Sequence, residues 1–117
     1  MPRSPKVYLD DIKDAIQHIL KYTKGVSFLQ FSIDEMMYDA VVRQLAIIGE
    51  AAKNLPVSIK EKYPSIEWKK IAGLRDILIH AYFGIDTKII WDIVITKIPE
   101  LKHTINKMTE DNTIKDK

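Results

Sequence analysis
Eight consecutive residues, Arg75-Asp76-Ile77-Leu78-Ile79-His80-Ala81-Tyr82, hold most of the groups that phosphate chemistry needs. Arg75 offers a planar fork of donors that fits a phosphate and keeps its charge at any physiological pH. His80 exchanges a proton near neutral pH. Asp76 precedes it by four residues, so on a helix the two share a face and the carboxylate is placed to orient the imidazole. Tyr82 follows Arg75 by seven residues, nearly two turns, and projects from nearly the same side. Spacing alone leaves blander readings open. A histidine in a helix's last turn often serves only the C-terminal dipole, and an arginine one turn earlier often serves only an ion pair. Tyr82, an aromatic at a helix end, reads equally as a packing residue.

The element that carries this motif is predicted to start at Ser65 or Ile66, run through Trp68, Ile71, Leu74, Leu78 and His80, and end at about Tyr82, before Gly84. A first helix from about Pro5 to Tyr22 puts Tyr8, Ile12, Ala15, Ile16 and Ile19 on one face and Asp10, Asp11 and Asp14 in its early turns, where the helix dipole favours carboxylates. Gly25 closes that region. Ser32, followed three residues later by Glu35, reads as a capping box. The helix it opens would run to about Asn54 with a stripe of Met37, Val41, Leu45, Ile48, Ala52 and Leu55, and Pro56 would stop it. A short helix is expected around Ser58 to Lys62, ended by Tyr63-Pro64. Asp86 caps a last helix that continues to about Met108, with a kink expected at Pro99 and a frayed tail from about residue 109. Period-3.6 patterning dominates and no convincing alternating strand appears. The fold class read from this is all-α, an antiparallel four- to five-helix bundle forming a single domain over residues 1–117.

Composition narrows the chemistry. The chain is 46% apolar and 29% charged, with four glycines and five prolines, which is globular rather than disordered. It has no cysteine, hence no disulfide framework, thiol nucleophile or cysteine-based zinc site. The three histidines, His18, His80 and His103, are dispersed without metal-ligand spacing, so neither a metal site nor a cofactor is expected. His18 and His103 read as surface residues, and Trp68 and Trp91 as core anchors. There is no glycine-rich phosphate loop or nucleophile elbow. The start lacks the apolar region of a signal peptide, and no apolar run approaches the roughly 20 residues that span a bilayer, so a soluble cytoplasmic protein without membrane contact is expected.

Net charge is only +2, yet residues 53–75 carry +4 against −1 on either side. Lys53, Lys69 and Lys70 thus lead into Arg75, as either a phosphate-tracking surface or a solvated helix face. Arg43 and Glu50, seven apart on an otherwise apolar helix, could pair within the bundle or line a cleft. Gly49 between them would permit a close helix approach.

Arg75, four residues, His80-Ala81-Tyr82 resembles the Arg-x4-His-x-Tyr signature of HepT-like toxins in the HEPN superfamily (higher eukaryotes and prokaryotes nucleotide-binding). The likeness extends over roughly residues 7–101. Tyr8-Leu9-Asp10-Asp11-Ile12 with Ala15-Ile16 looks like the family's opening helix, and Arg43-Gln44-Leu45-Ala46-Ile47-Ile48-Gly49-Glu50-Ala51 looks like its second. Trp68-Lys69-Lys70-Ile71-Ala72-Gly73-Leu74-Arg75-Asp76 and Tyr82-Phe83-Gly84-Ile85-Asp86 flank the signature in the same order. The resemblance implies a HEPN-like bundle and a metal-independent endoribonuclease acting on tRNA or mRNA, the toxin of a type VII-like toxin–antitoxin system. It also implies a minimal nucleotidyltransferase antitoxin that transfers AMP onto Tyr82. Arg75 and His80 are then catalytic, Asp76 fixes the His80 tautomer, and Lys53, Lys69, Lys70 and Arg43 are weaker candidates for RNA contact.

Metal-free cleavage of RNA needs one group to take the 2′-OH proton and another to protonate the leaving 5′ oxygen. One chain brings one such histidine, so a homodimer that joins two copies of Arg75 and His80 in one cleft is expected, in agreement with the family. A different class of function competes with this one: a non-catalytic helical subunit that presents nucleotide or substrate to a nucleotidyltransferase.

Overall fold
A computed structural model describes residues 4–77 and 86–111. All regular structure among these residues is helical: α1 (Pro5–Thr23), α2 (Phe28–Ile33), α3 (Glu35–Asn54), α4 (Val57–Lys60), α5 (Trp68–Ala72) running into a 3₁₀ helix (Gly73–Asp76), then α6 (Thr87–Asp92), a π turn (Ile93–Lys97) and α7 (Ile98–Glu110). The all-α helical bundle expected from the periodicity is the fold observed.

α1 forms where the pattern places it. The Ser4 hydroxyl accepts from the Lys6 amide at 3.2 Å, and Pro5 occupies the first turn, where its missing N–H costs nothing. Leu9, Ile12, Ala15, Ile16 and Ile19 are buried, most of them against α3, which supplies Val41, Val42, Leu45, Ile48, Ala51 and Ala52 to the same core. Tyr8 and Met37, at the ends of the two predicted stripes, are only half-buried. α6, the π turn and α7 close the core with Ile90, Trp91, Val94, Ile98, Leu101, Ile105 and Met108. Trp91 is the anchor its size suggested, with its ring 5.0 Å from that of Phe31. Trp68 is half-buried, and its indole N–H donates to the Tyr63 carbonyl at 3.0 Å. His18 and His103 are exposed.

The turn after α1 corrects the expected capping box. Gly25 takes the left-handed φ of 70° that turns the chain. Ser27 then opens the short α2: its hydroxyl accepts from the Gln30 amide at 3.1 Å, and the Gln30 side-chain oxygen accepts from the Ser27 amide at 2.9 Å. Ser32 lies inside α2 and donates to the Leu29 carbonyl at 2.7 Å. The cap of α3 is Asp34, whose carboxylate accepts from the Met37 amide at 2.9 Å. Burial explains the choice. Coiling residues 28–33 brings Phe31 into the core between Tyr38 and Trp91, which an extended run up to Ser32 would not do.

Two further expectations change. The motif-bearing helix starts at Trp68 rather than Ser65 or Ile66, and it tightens to 3₁₀ winding over Gly73–Asp76. The last helix begins at the predicted cap, where Asp86 accepts from the Lys88 amide at 2.9 Å, but its irregularity precedes Pro99. The Ile98 amide reaches back five residues to the Ile93 carbonyl. This wider π turn covers the stretch in which Pro99 has no N–H to give to Ile95. α7 continues to Glu110, so the tail expected to fray from about 109 is still helical there, and its remainder lies outside the described residues. Among the described residues no helix is long and apolar enough to cross a membrane.

Candidate functional site
Arg75 stands on the 3₁₀ helix, and α3 determines where that helix sits. Gly49 is buried in α3, facing the backbone of residues 72–75. A β-carbon added there would strike the Arg75 amide nitrogen and come within 2.9 Å of the Leu74 carbonyl carbon and 3.0 Å of the Ala72 oxygen. The close approach expected at Gly49 is therefore real, and its partner is the backbone of Arg75 itself. No side chain larger than hydrogen fits between α3 and the segment carrying the arginine.

The next residue of α3 meets the arginine's side chain. Glu50 Oε1 lies 3.4 Å from Arg75 Nη1, and Asp76 Oδ1 lies 3.7 Å from Arg75 Nε. The other Glu50 oxygen, Oε2, accepts from Asn54 Nδ2 at 3.4 Å, and that amide also donates to the Glu50 carbonyl at 2.9 Å. Asn54, Glu50, Arg75 and Asp76 thus form one polar chain across the surface. The Arg75 side chain is 42% exposed and that of Glu50 54%, so the pair contributes only about 0–1 kcal/mol to stability. Its distances exceed those of a tight charge-assisted fork, about 2.7–2.9 Å. The guanidinium is oriented without being sequestered, and it remains able to take an anion.

Other site candidates separate into paired and unpaired cations. Lys70 is bound to Glu67 at 2.9 Å, and Lys97 reaches the same carboxylate at 3.8 Å. The hydrogen bond from Lys70, followed by its charge and that of Lys97, holds the Glu67 carboxyl below the usual glutamate range. Lys60 donates to the Ala52 carbonyl at 3.2 Å and closes the end of α3. Lys53, Lys69 and Arg43 are exposed and make no ion pair with any described residue. Glu50 pairs with Arg75 rather than Arg43. Arg43 and Glu50 lie on the same helix, but the close seat at Gly49 brings Arg75 nearer. His80 and Tyr82 lie outside the described residues, and so does the expected contact between Asp76 and His80.

A cavity of about 160 Å³ opens beside Glu50, lined by Tyr8, Asp11, Ile47, Glu50, Ala51 and Asn54. Two carboxylates and no cation line it, so it does not suit a phosphate. Among the described residues no three His, Cys, Asp or Glu side chains gather as metal ligands would. Sequence reasoning missed Glu50 and Asn54 as neighbours of Arg75. Glu50 and Arg75 are 25 residues apart, a pairing that no helical spacing reveals.

The family described as "Ribonuclease HepT-like" matches residues 12–108. The chain is 45% identical over 108 residues to "Probable ribonuclease HepT" of Thermococcus cleftensis, covering 92% of this chain and 98% of that protein. It is 42% identical over 108 residues to a protein of Caldanaerobacter subterraneus subsp. tengcongensis named "Putative RNase", covering 92% of this chain and 96% of that one. A Methanocaldococcus jannaschii protein bearing the same description is 44% identical over 112 residues, covering 95% and 93%. No solved structure matches.

Proposed function
The chain belongs to the HepT-like ribonuclease family, and from that premise we propose that it is a metal-independent endoribonuclease with Arg75 at its cutting site. The observation that carries this reading is the state of Arg75: a half-exposed guanidinium, seated by its backbone on Gly49 and flanked by loosely held carboxylates.

In the proposed reaction the 2′ oxygen attacks the adjacent phosphorus and forms the 2′ O–P bond. The P–O5′ bond breaks, and the 5′ oxygen leaves with a proton. Arg75 stabilises the extra charge of the pentacovalent phosphorane. His80 moves protons and Asp76 orients it. Both other histidines are exposed, and His18 is two turns of α1 beyond the Asp11 end that borders Glu50. The motif assigns only His80 of the three histidines to the reaction, and the second acid–base group comes from a twofold partner whose Arg75 and His80 share the cleft. Lys53, Lys69 and Arg43 guide the RNA backbone toward it, with Lys70 a weaker contributor because Glu67 already holds it.

As the toxin of a toxin–antitoxin pair, the chain is silenced by a minimal nucleotidyltransferase. The Tyr82 phenol oxygen attacks the α-phosphorus of ATP, pyrophosphate leaves, and the AMP left on Tyr82 adds a phosphate charge and bulk that exclude RNA. The test is cleavage of RNA in EDTA by wild-type protein and Arg75→Ala, with mass spectrometry of Tyr82 after coexpression with the transferase. Cleavage abolished in the variant supports the reading. Nucleotide binding without any cleavage would overturn it in favour of a non-catalytic subunit of the transferase complex.

A further inference from the structure
We propose that Glu50 is a positioning residue for this cutting site: its carboxylate holds the Arg75 guanidinium where an RNA phosphate will bind, and yields it when the phosphate arrives. The inference rests on the ribonuclease reading and adds a residue to it. Three observations carry it. Gly49 packs directly against the backbone of Arg75, so what remains to be ordered is the arginine's side chain. Glu50, the next residue on the same helix, reaches the outer nitrogen of that side chain at 3.4 Å, and Asn54 steadies its second oxygen at the same distance. Asp76 stands 3.7 Å from the inner nitrogen, so both edges of the fork face a carboxylate.

A flexible arginine stem left alone would sample many rotamers, and binding RNA would have to order it. The two carboxylates order it beforehand. Because they lie beyond tight bidentate distance and are half-exposed, a phosphate that takes both edges of the fork displaces them readily. The arrangement has a built-in cost, since the Glu50 charge opposes the phosphate it prepares for. Removing that charge should therefore tighten binding while slowing the chemistry, a combination that simple damage to the fold does not produce.

The experiment compares wild type, Glu50→Gln, Glu50→Asp and Arg75→Ala as full-length proteins cleaving RNA in EDTA. For Glu50→Gln we expect KM to fall about three- to fourfold, the effect of one unit charge about 5 Å away in a water-like dielectric. Its kcat should fall about tenfold, less than the roughly hundredfold that 1 Å of misplacement costs. Glu50→Asp keeps the charge but is one methylene short, so it should lower kcat and leave KM near wild type. Unchanged kcat and KM in Glu50→Gln, or a fall in KM in both variants, would overturn the proposal. So would a loss of kcat that comes with a lowered Tm and an unchanged KM. An arm independent of activity follows the Arg75 Nη–H resonances, which Glu50 faces, by low-temperature NMR: they should shift and broaden in Glu50→Gln, and unmoved signals would refute the contact. If wild type does not cleave, the ribonuclease reading fails, and the NMR arm still decides whether Glu50 holds Arg75.

Discussion

Substituting Gly49 by alanine tests the seat on which the candidate site depends. On an ordinary helix surface the change would stabilise, because alanine is favoured over glycine in a helix interior by about 1 kcal/mol. Here the new β-carbon would collide with the Arg75 amide nitrogen and crowd the Leu74 and Ala72 carbonyl groups at 2.9 and 3.0 Å. All three neighbours are backbone, so no side chain can swing aside, and the 3₁₀ helix must move away from α3. Overpacking of this kind costs about 1–3 kcal/mol. With every clashing atom in backbone the cost should lie in the upper part of that range, about 2–3 kcal/mol, and the propensity gain leaves a net loss of about 1–2 kcal/mol, read as a Tm lowered by about 4 °C or more. Activity should fall further than stability, because the displaced segment carries Arg75. Gly73→Ala is the matched control: its helical backbone has nothing within 4 Å of the added carbon, and it should leave Tm unchanged or raise it. The assays are thermal unfolding by circular dichroism and RNA cleavage in EDTA. If Gly49→Ala matched Gly73→Ala in both, the close approach would not constrain the site.

Other perturbations give separate checks. Asp34→Ala should cost about 1 kcal/mol by removing the cap of α3, whereas Ser32→Ala should stay within about 0.5 kcal/mol, since its hydroxyl only doubles an exposed helix carbonyl; urea denaturation distinguishes them. Phe31→Ala should destabilise by about 3–5 kcal/mol, because the ring is fully buried between Tyr38 and Trp91 and its removal leaves a cavity, again measured by denaturation. Lys69→Ala or Lys53→Ala should weaken RNA binding for every sequence. Each should lower the slope of log K against log salt by about 0.7 for every single-strand phosphate that is no longer neutralised, measured by titration at several salt concentrations.

How far the sequence could be read depended on the range of each interaction. The faces of α1 and α3 were legible because a 3.6-residue repeat of Ile, Leu, Val and Ala has one way to leave water, and Ile12, Ile16, Ile19, Val41, Leu45 and Ile48 are all buried as the repeat requires. The cap at Asp86 was read correctly, but Ser27, Ser32 and Asp34 all precede plausible first turns, and the burial of Phe31 decided among them. Pro99 marked the irregularity of the last helix to within about a turn but not its π form, and no local pattern marks the 3₁₀ winding at Gly73–Asp76. At the candidate site, the motif and the cations ahead of it singled out Arg75 in the sequence. Glu50 was read there as a partner of Arg43 or a cleft-lining residue, and its nearness to Arg75 was not legible, since it follows from a helix contact through Gly49, across 25 residues.

Everything proposed for the site turns on Arg75 serving metal-free cleavage of RNA through the 2′ hydroxyl. The decisive experiment incubates wild type and Arg75→Ala, in EDTA, with an RNA oligonucleotide and with the same oligonucleotide carrying 2′-deoxy nucleotides. Wild type should cut only the RNA and leave a 2′,3′-cyclic phosphate end, and Arg75→Ala should be about a hundredfold or more slower, as expected for loss of a group that stabilises transition-state charge. Cleavage of the deoxy substrate, or an Arg75→Ala variant as fast as wild type, would be incompatible with that role.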